Sequence, residues 1–146
     1  MPTGYLSVQT HPDHEGLVRI LASRTRPSGE AGAAAHHPAV RYVARFRDRD
    51  AAMMHVHELL RHRLVDIDDR LYRTELATAI AAIESIDLRH ERLYVDPETL
   101  QRSGDEIRNR TDVFTRRRLW RDRMFRGMGF VGLALLLFNL LFLSLP

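Results

Sequence analysis

The chain has 146 residues, 45% of them apolar, which leaves room for one folded domain and an appendage. It contains no cysteine, so disulfides and thiolate metal sites are excluded, and its 22 basic residues are all arginine. The net charge of +3 is uneven: residues 1–100 hold 13 Arg against 15 Asp and Glu, residues 101–126 hold 9 Arg against 4, and residues 127–146 hold no charge. The basic excess therefore stands just before an apolar tail, a nearer explanation of the high pI than nucleic-acid binding.

Residues 5–9 alternate and predict a first strand, followed by a Pro-, Asp- and Gly-containing turn over 11–16 and a second strand over 17–21. Residues 27–38, rich in Gly, Ala and Ser, predict a loop. Residues 40–46 predict a third strand, with Val40, Tyr42, Ala44 and Phe46 on one face and Arg41, Val43 and Arg45 on the other. Asp50 is placed to cap a helix over 51–64, with Asp48 just upstream. After the acidic turn 66–69, Leu71 and Tyr72 form a short extended piece. Thr74 then caps a second helix that carries Leu76, Ala77, Ile80, Ile83 and Ile86 along one face. Asp96-Pro97-Glu98 is a helix start: a capping acid, then Pro at the first helical position, then an acid. The helix it opens heads for the tail, with an interruption expected near Ser103-Gly104. The order predicts an α+β fold with a three-stranded antiparallel sheet flanked by helices over residues 1–95, a basic helical stalk over 96–126 and a membrane helix over 127–146.

The tail reads GMGFVGLALLLFNLLFLSLP, with Asn139 and Ser144 its only polar side chains. As a helix, 20 residues span about 30 Å, the thickness of a bilayer's hydrocarbon core. Arg116, Arg117, Arg118, Arg121, Arg123 and Arg126 precede it, with Trp120 and Phe125 as interfacial aromatics. Arginines stay on the cytoplasmic side, so the expected topology is a single pass with the domain cytoplasmic and the C-terminus outward, a tail-anchored arrangement in a bacterial inner membrane. The basic run either fixes topology or lies on anionic lipid as an amphipathic segment. Within the span, Gly129 and Gly132 share a face, and Asn139 offers a hydrogen bond to a neighbouring helix.

Gly4-Tyr5-Leu6-Ser7-Val8, a turn, then Gly16-Leu17-Val18-Arg19-Ile20, resembles the opening hairpin of the GIY-YIG endonuclease superfamily, in its short phage- and fungus-type branch. The segment from Ala51 to Leu60 resembles that branch's Glu-x-x-x-His-x-x-Leu helix, and Arg70-Leu71-Tyr72-Arg73 stands where the branch has Arg-Glu-Phe-Phe. The resemblance covers roughly residues 3–86 and implies a nuclease-like fold. In the family a tyrosine helps activate water, an arginine steadies the phosphate and a glutamate holds a divalent metal. Position by position, the second tyrosine falls on Ser7, the second-motif glycine on Leu21 and the glutamate on Met53. A thioether does not replace a carboxylate for a hard cation. Arg24 and Arg26 lie near the place of the family arginine. Tyr5, Arg19 and His57 remain at or near family positions, so the resemblance implies a catalytically degenerate copy with no cofactor.

His55, His57 and His62 share one helix at spacings other than the four residues of a helical zinc pair, so no metal site is expected. Arg41, Arg45 and Arg47 with Tyr42 offer either a phosphate-tracking strand or a charged edge strand that discourages aggregation. The expected function is an interaction protein: a pseudoenzyme-like domain tethered to membrane lipid as accessory subunit or scaffold for a membrane-protein partner. The competing expectation is a membrane-localised nucleic-acid binder or nuclease with an atypical site.

Overall fold

A computed structural model describes residues 3–10, 15–27 and 39–143. The elements run β1 (Gly4–Thr10), β2 (Leu17–Ser23), β3 (Ala39–Phe46), α1 (Arg49–Leu60), a 3₁₀ turn (Arg61–Arg63), β4 (Leu64–Asp66), β5 (Leu71–Arg73), α2 (Leu76–Glu84), β6 (His90–Val95) and α3 (Pro97–Leu143). The fold is α+β. Its sheet has six strands, not three, in the order β4-β5-β2-β1-β3-β6, with every neighbouring pair antiparallel. Two compact units divide the chain, residues 1–112 and residues 113–146.

The extra strands are those with the least periodic signal. β6 reads His-Glu-Arg-Leu-Tyr-Val, and its charged residues suit an exposed sheet edge. β4 has three residues. Leu64, expected to end the first helix, instead lies opposite Tyr72, because α1 stops at Leu60 and the 3₁₀ turn redirects the chain. β3 lies between β1 and β6, so it is an interior strand rather than an edge.

The core follows from register. Leu6 stands opposite Ala22 and Ala44, and Val8 opposite Ile20 and Tyr42, so one face collects Leu6, Val8, Ile20, Tyr42 and Ala44. All five are fully buried. Helices α1 and α2 cover this face. Ala52, Val56 and Leu60, four apart along α1, turn inward together. Residues 77–83 of α2 are all buried, because that helix packs on the sheet, on α1 and on the first turns of α3, where Ile107 is buried and Arg110 bonds to Thr78 and Glu75.

The helix starts divide. Asp48, not Asp50, caps α1 by accepting the Ala51 N–H at 3.0 Å, while Asp50 pairs with Arg49. Thr74 does not cap α2. Its hydroxyl accepts from Arg63 at 2.7 Å and its N–H bonds to the Gly16 carbonyl, so the cap position falls to Glu75, which makes no side-chain cap bond. Asp96 accepts the Thr99 N–H at 3.0 Å and opens α3 as expected. No break occurs at Ser103-Gly104. A helical glycine costs only about 1 kcal/mol, and the buried Thr99 and Ile107 on either side hold this segment in the helix. The expected turn over 11–14 and most of the expected loop, 28–38, lie outside the described residues.

Candidate functional site

Strand alternation decides where the family-like positions go. Tyr5, Ser7, Gln9 and Arg19 lie on the sheet face opposite the Leu6–Val8 layer, whereas α1, which carries Met53 and His57, covers that layer. The sheet thus separates Tyr5 and Arg19 from His57. Ser7, at 1% exposure, is buried between its register partners Leu21 and Val43. Arg19 is occupied: its Nε donates to the Asp69 carbonyl at 3.0 Å and its Nη2 pairs with the Asp69 carboxylate.

His57 meets a residue of a different motif. Its Nδ1 lies 3.4 Å from the Tyr72 hydroxyl of β5, at a groove of about 840 Å³ between α1 and the β4–β5 turn. Arg49, Met53, Ile67 and Arg70 also line it. Burial pushes the Tyr72 hydroxyl above its ordinary pKa, and the nearby Arg70 guanidinium partly opposes this. Arg70 itself takes a left-handed backbone, φ 52°, at the end of a turn closed by Asp66, whose carboxylate accepts from the N–H groups of Asp68 and Asp69. Such a conformation costs a residue with a side chain on the order of 1 kcal/mol or more. The groove therefore joins Arg70, an Arg49 paired with Asp50, His55, His57, Glu58 and Tyr72 to an apolar wall. Met53 is half-buried in that wall and supplies no ligand for a hard cation. The His57–Tyr72 contact was hidden in the sequence because it depends on β5 lying beside β2. Among the described residues no three His, Asp or Glu side chains converge as a metal site.

The basic-strand reading of β3 changes. Tyr42 is fully buried on the helix-covered face, and Arg41 is tied to Asp96 at 3.0 Å and to Thr10 at 3.1 Å. Only Arg45 and Arg47 remain exposed there.

In the second unit, α3 continues through the arginine run. With about 100° of turn per residue, Arg116, Arg117, Arg118, Arg121, Arg123 and Arg126 spread round the whole circumference with no gap wider than about 100°. That is a collar, not the one-sided face of a helix lying flat on lipid. Trp120 is 66% exposed within it. Beyond it every large side chain from Met128 to Phe142 is exposed, Phe130 to 73%. This end of the helix is long and apolar enough to cross a membrane once. Helical continuity places Gly132 and Asn139, seven residues apart, within about 20° of one another, with Gly129 beside them.

Comparison with protein-family models, with curated proteins and with solved structures finds no match.

Proposed function

We propose that this protein is a membrane-anchored interaction protein, an α+β domain held on the cytoplasmic face of a bacterial inner membrane by one span, serving as accessory subunit or scaffold of a larger membrane assembly. The observation that carries this reading is the apolar end of α3, unburied along its length and preceded by a ring of arginines. A helix apolar on every side needs lipid around it, and the arginine ring keeps its own side of the span in the cytoplasm. A span with no ionisable side chain is poorly suited to transport by itself. The stripe of Gly129, Gly132 and Asn139 is where it would pack on a partner helix. Interaction is favoured over catalysis because Ser7 and Met53 replace the reactive groups of the superfamily the chain resembles. The test is purification of the full-length protein from its native membrane in mild detergent, with mass spectrometry of what accompanies it. A stoichiometric membrane protein, lost when Gly129, Gly132 and Asn139 are replaced by Leu, supports the reading. A chain released from membranes by alkaline carbonate removes its basis.

The His57–Tyr72 contact beside Arg49 and Arg70 favours a second reading, nucleic-acid chemistry in the groove. It requires metal-dependent cleavage of DNA or RNA by the full-length protein that His57→Ala abolishes. Absence of cleavage, including after Met53→Glu supplies a carboxylate, ends it.

A further inference from the structure

Several arginines of the folded unit are matched to carboxylates: Arg19 to Asp69, Arg41 to Asp96, Arg49 to Asp50, Arg61 to Glu58, Arg92 to Glu84, Arg102 to Glu98, and Arg110 to Glu75 and Glu106. Three that are not converge on one place. Arg45 near the end of β3, Arg47 just beyond it and Arg89 just before β6 line a cleft of about 580 Å³ with Phe46, His90 and Glu91. All three arginines are exposed, and none makes an ion pair among the described residues. Topology brings them together. β3 and β6 are antiparallel with Phe46 opposite His90, so the end of one strand meets the start of the other. The floor is firm: the Phe46 and His90 rings stack at 4.9 Å with 22° between their planes, and His90 Nδ1 donates to the Leu88 carbonyl at 2.8 Å. That bond leaves Nε2 as the uncommitted ring nitrogen.

We propose that this cleft binds a phosphate group, presented by a soluble phosphate ester or by a lipid headgroup. Guanidinium forks match phosphate oxygens two at a time, and three of them facing a single lining carboxylate, Glu91, make a locally positive site. The cleft has the volume of a small-ligand site. The site lies wholly within the first unit and does not depend on the membrane reading.

The test uses the full-length protein in nanodiscs of zwitterionic lipid, titrated calorimetrically with inorganic pyrophosphate. Saturable binding is expected. It weakens at least about tenfold in the triple variant Arg45→Gln/Arg47→Gln/Arg89→Gln. It stays within about twofold in Arg24→Gln/Arg26→Gln, which removes two exposed arginines elsewhere. Arg89→Gln alone, checked by circular dichroism for unchanged folding, gives a several-fold loss and decides the matter should the triple variant misfold. No saturable binding, or equal weakening in the triple and control variants, overturns the proposal. Repeating the titration with anionic phospholipid in the disc assigns the source. A fall in pyrophosphate affinity confined to the native chain marks a lipid headgroup, and an unchanged affinity marks a soluble ester. A chain that fails to enter nanodiscs sinks the membrane reading only, and the same titration in buffer then tests the cleft.

Discussion

Arg41 and Asp96 hold each other twice: the Arg41 guanidinium donates to the Asp96 carboxylate at 3.0 Å, and the Asp96 N–H donates to the Arg41 carbonyl at 2.8 Å. Arg41 is the extra residue where β3 slips register against β1, between the pairs Val8–Tyr42 and Gln9–Val40. Asp96 caps α3. One acid thus ties a β-bulge to the start of the long helix. Burial opposes ionisation of Asp96, but the Thr99 hydroxyl and N–H and the Arg41 guanidinium outweigh it and hold the carboxyl below its usual range. Asp96→Ala is expected to destabilise the folded unit by about 1–2 kcal/mol. Because the folded pKa is depressed, this contribution is fully present above the unfolded value of about 3.9 and is lost as pH falls through the folded one. Urea unfolding of both chains should show a gap that is constant near neutrality and closes in acid. A gap that persists below both pKa values contradicts the assignment.

Tyr42 predicts the opposite sign. Among the described residues its buried hydroxyl makes no hydrogen bond of good geometry, nor does Glu84 Oε1, although Glu84 and Arg92 both lie close enough to act on it. Burial, and then the Glu84 charge, push its pKa far above the ordinary tyrosine value, so it stays a neutral phenol at any working pH. Tyr42→Phe removes an unsatisfied polar atom and keeps the ring, so it should be neutral or stabilise by about 0.5–1 kcal/mol. A thermal midpoint lowered by several degrees would show that the hydroxyl has a partner.

Gly4 is required by space. A Cβ there would stand 2.6 Å from the Ser23 carbonyl oxygen of β2 and 2.7 Å from Cδ of Arg49. The arginine side chain can move aside; the backbone oxygen cannot without shifting the β1–β2 ladder. Gly4→Ala should cost about 1–3 kcal/mol, read as a lower urea midpoint. Gly104→Ala, whose Cβ meets only Leu100 Cδ1 at 3.6 Å, should be neutral or stabilising by up to about 1 kcal/mol.

Arg110 joins the first turns of α3 to α2 through Thr78, which is buried, and Glu75. Arg110→Met keeps much of the stem but strips the Thr78 hydroxyl of its donor. A loss of about 1–2 kcal/mol is expected, with Arg110→Lys intermediate. Equal stability of all three chains would show that packing alone seats this segment.

Local chemistry was legible where it dominates. The β1–β2 pairing, the apolar alternation of Tyr42, Ala44 and Phe46 in β3, the Asp96-Pro97 start of α3 and the apolar tail with its arginines can all be read along the chain, because alternation, capping and hydropathy act between residues close in sequence. The edge strands were not. β6 and β4 are short, charged or interrupted, and their conformation is set by hydrogen bonds to β3 and β5 rather than by their own side chains. The caps show the same division: Asp96 keeps its role, while Thr74 is drawn to Arg63 by the turn after α1.

The sites divide along that line too. By itself the sequence determined that Ser7 and Met53 bring neither a phenol nor a carboxylate to their positions, and that an uncharged stretch follows a basic one, since residue identity suffices for both. Only the tertiary structure decided that Tyr5 and Arg19 lie across the sheet from His57, that His57 meets Tyr72, and that Arg89 joins Arg45 and Arg47. A one-residue alternation sends neighbours to opposite faces, and an antiparallel register brings distant residues to one end of the sheet, so proximity in the fold is independent of proximity along the chain.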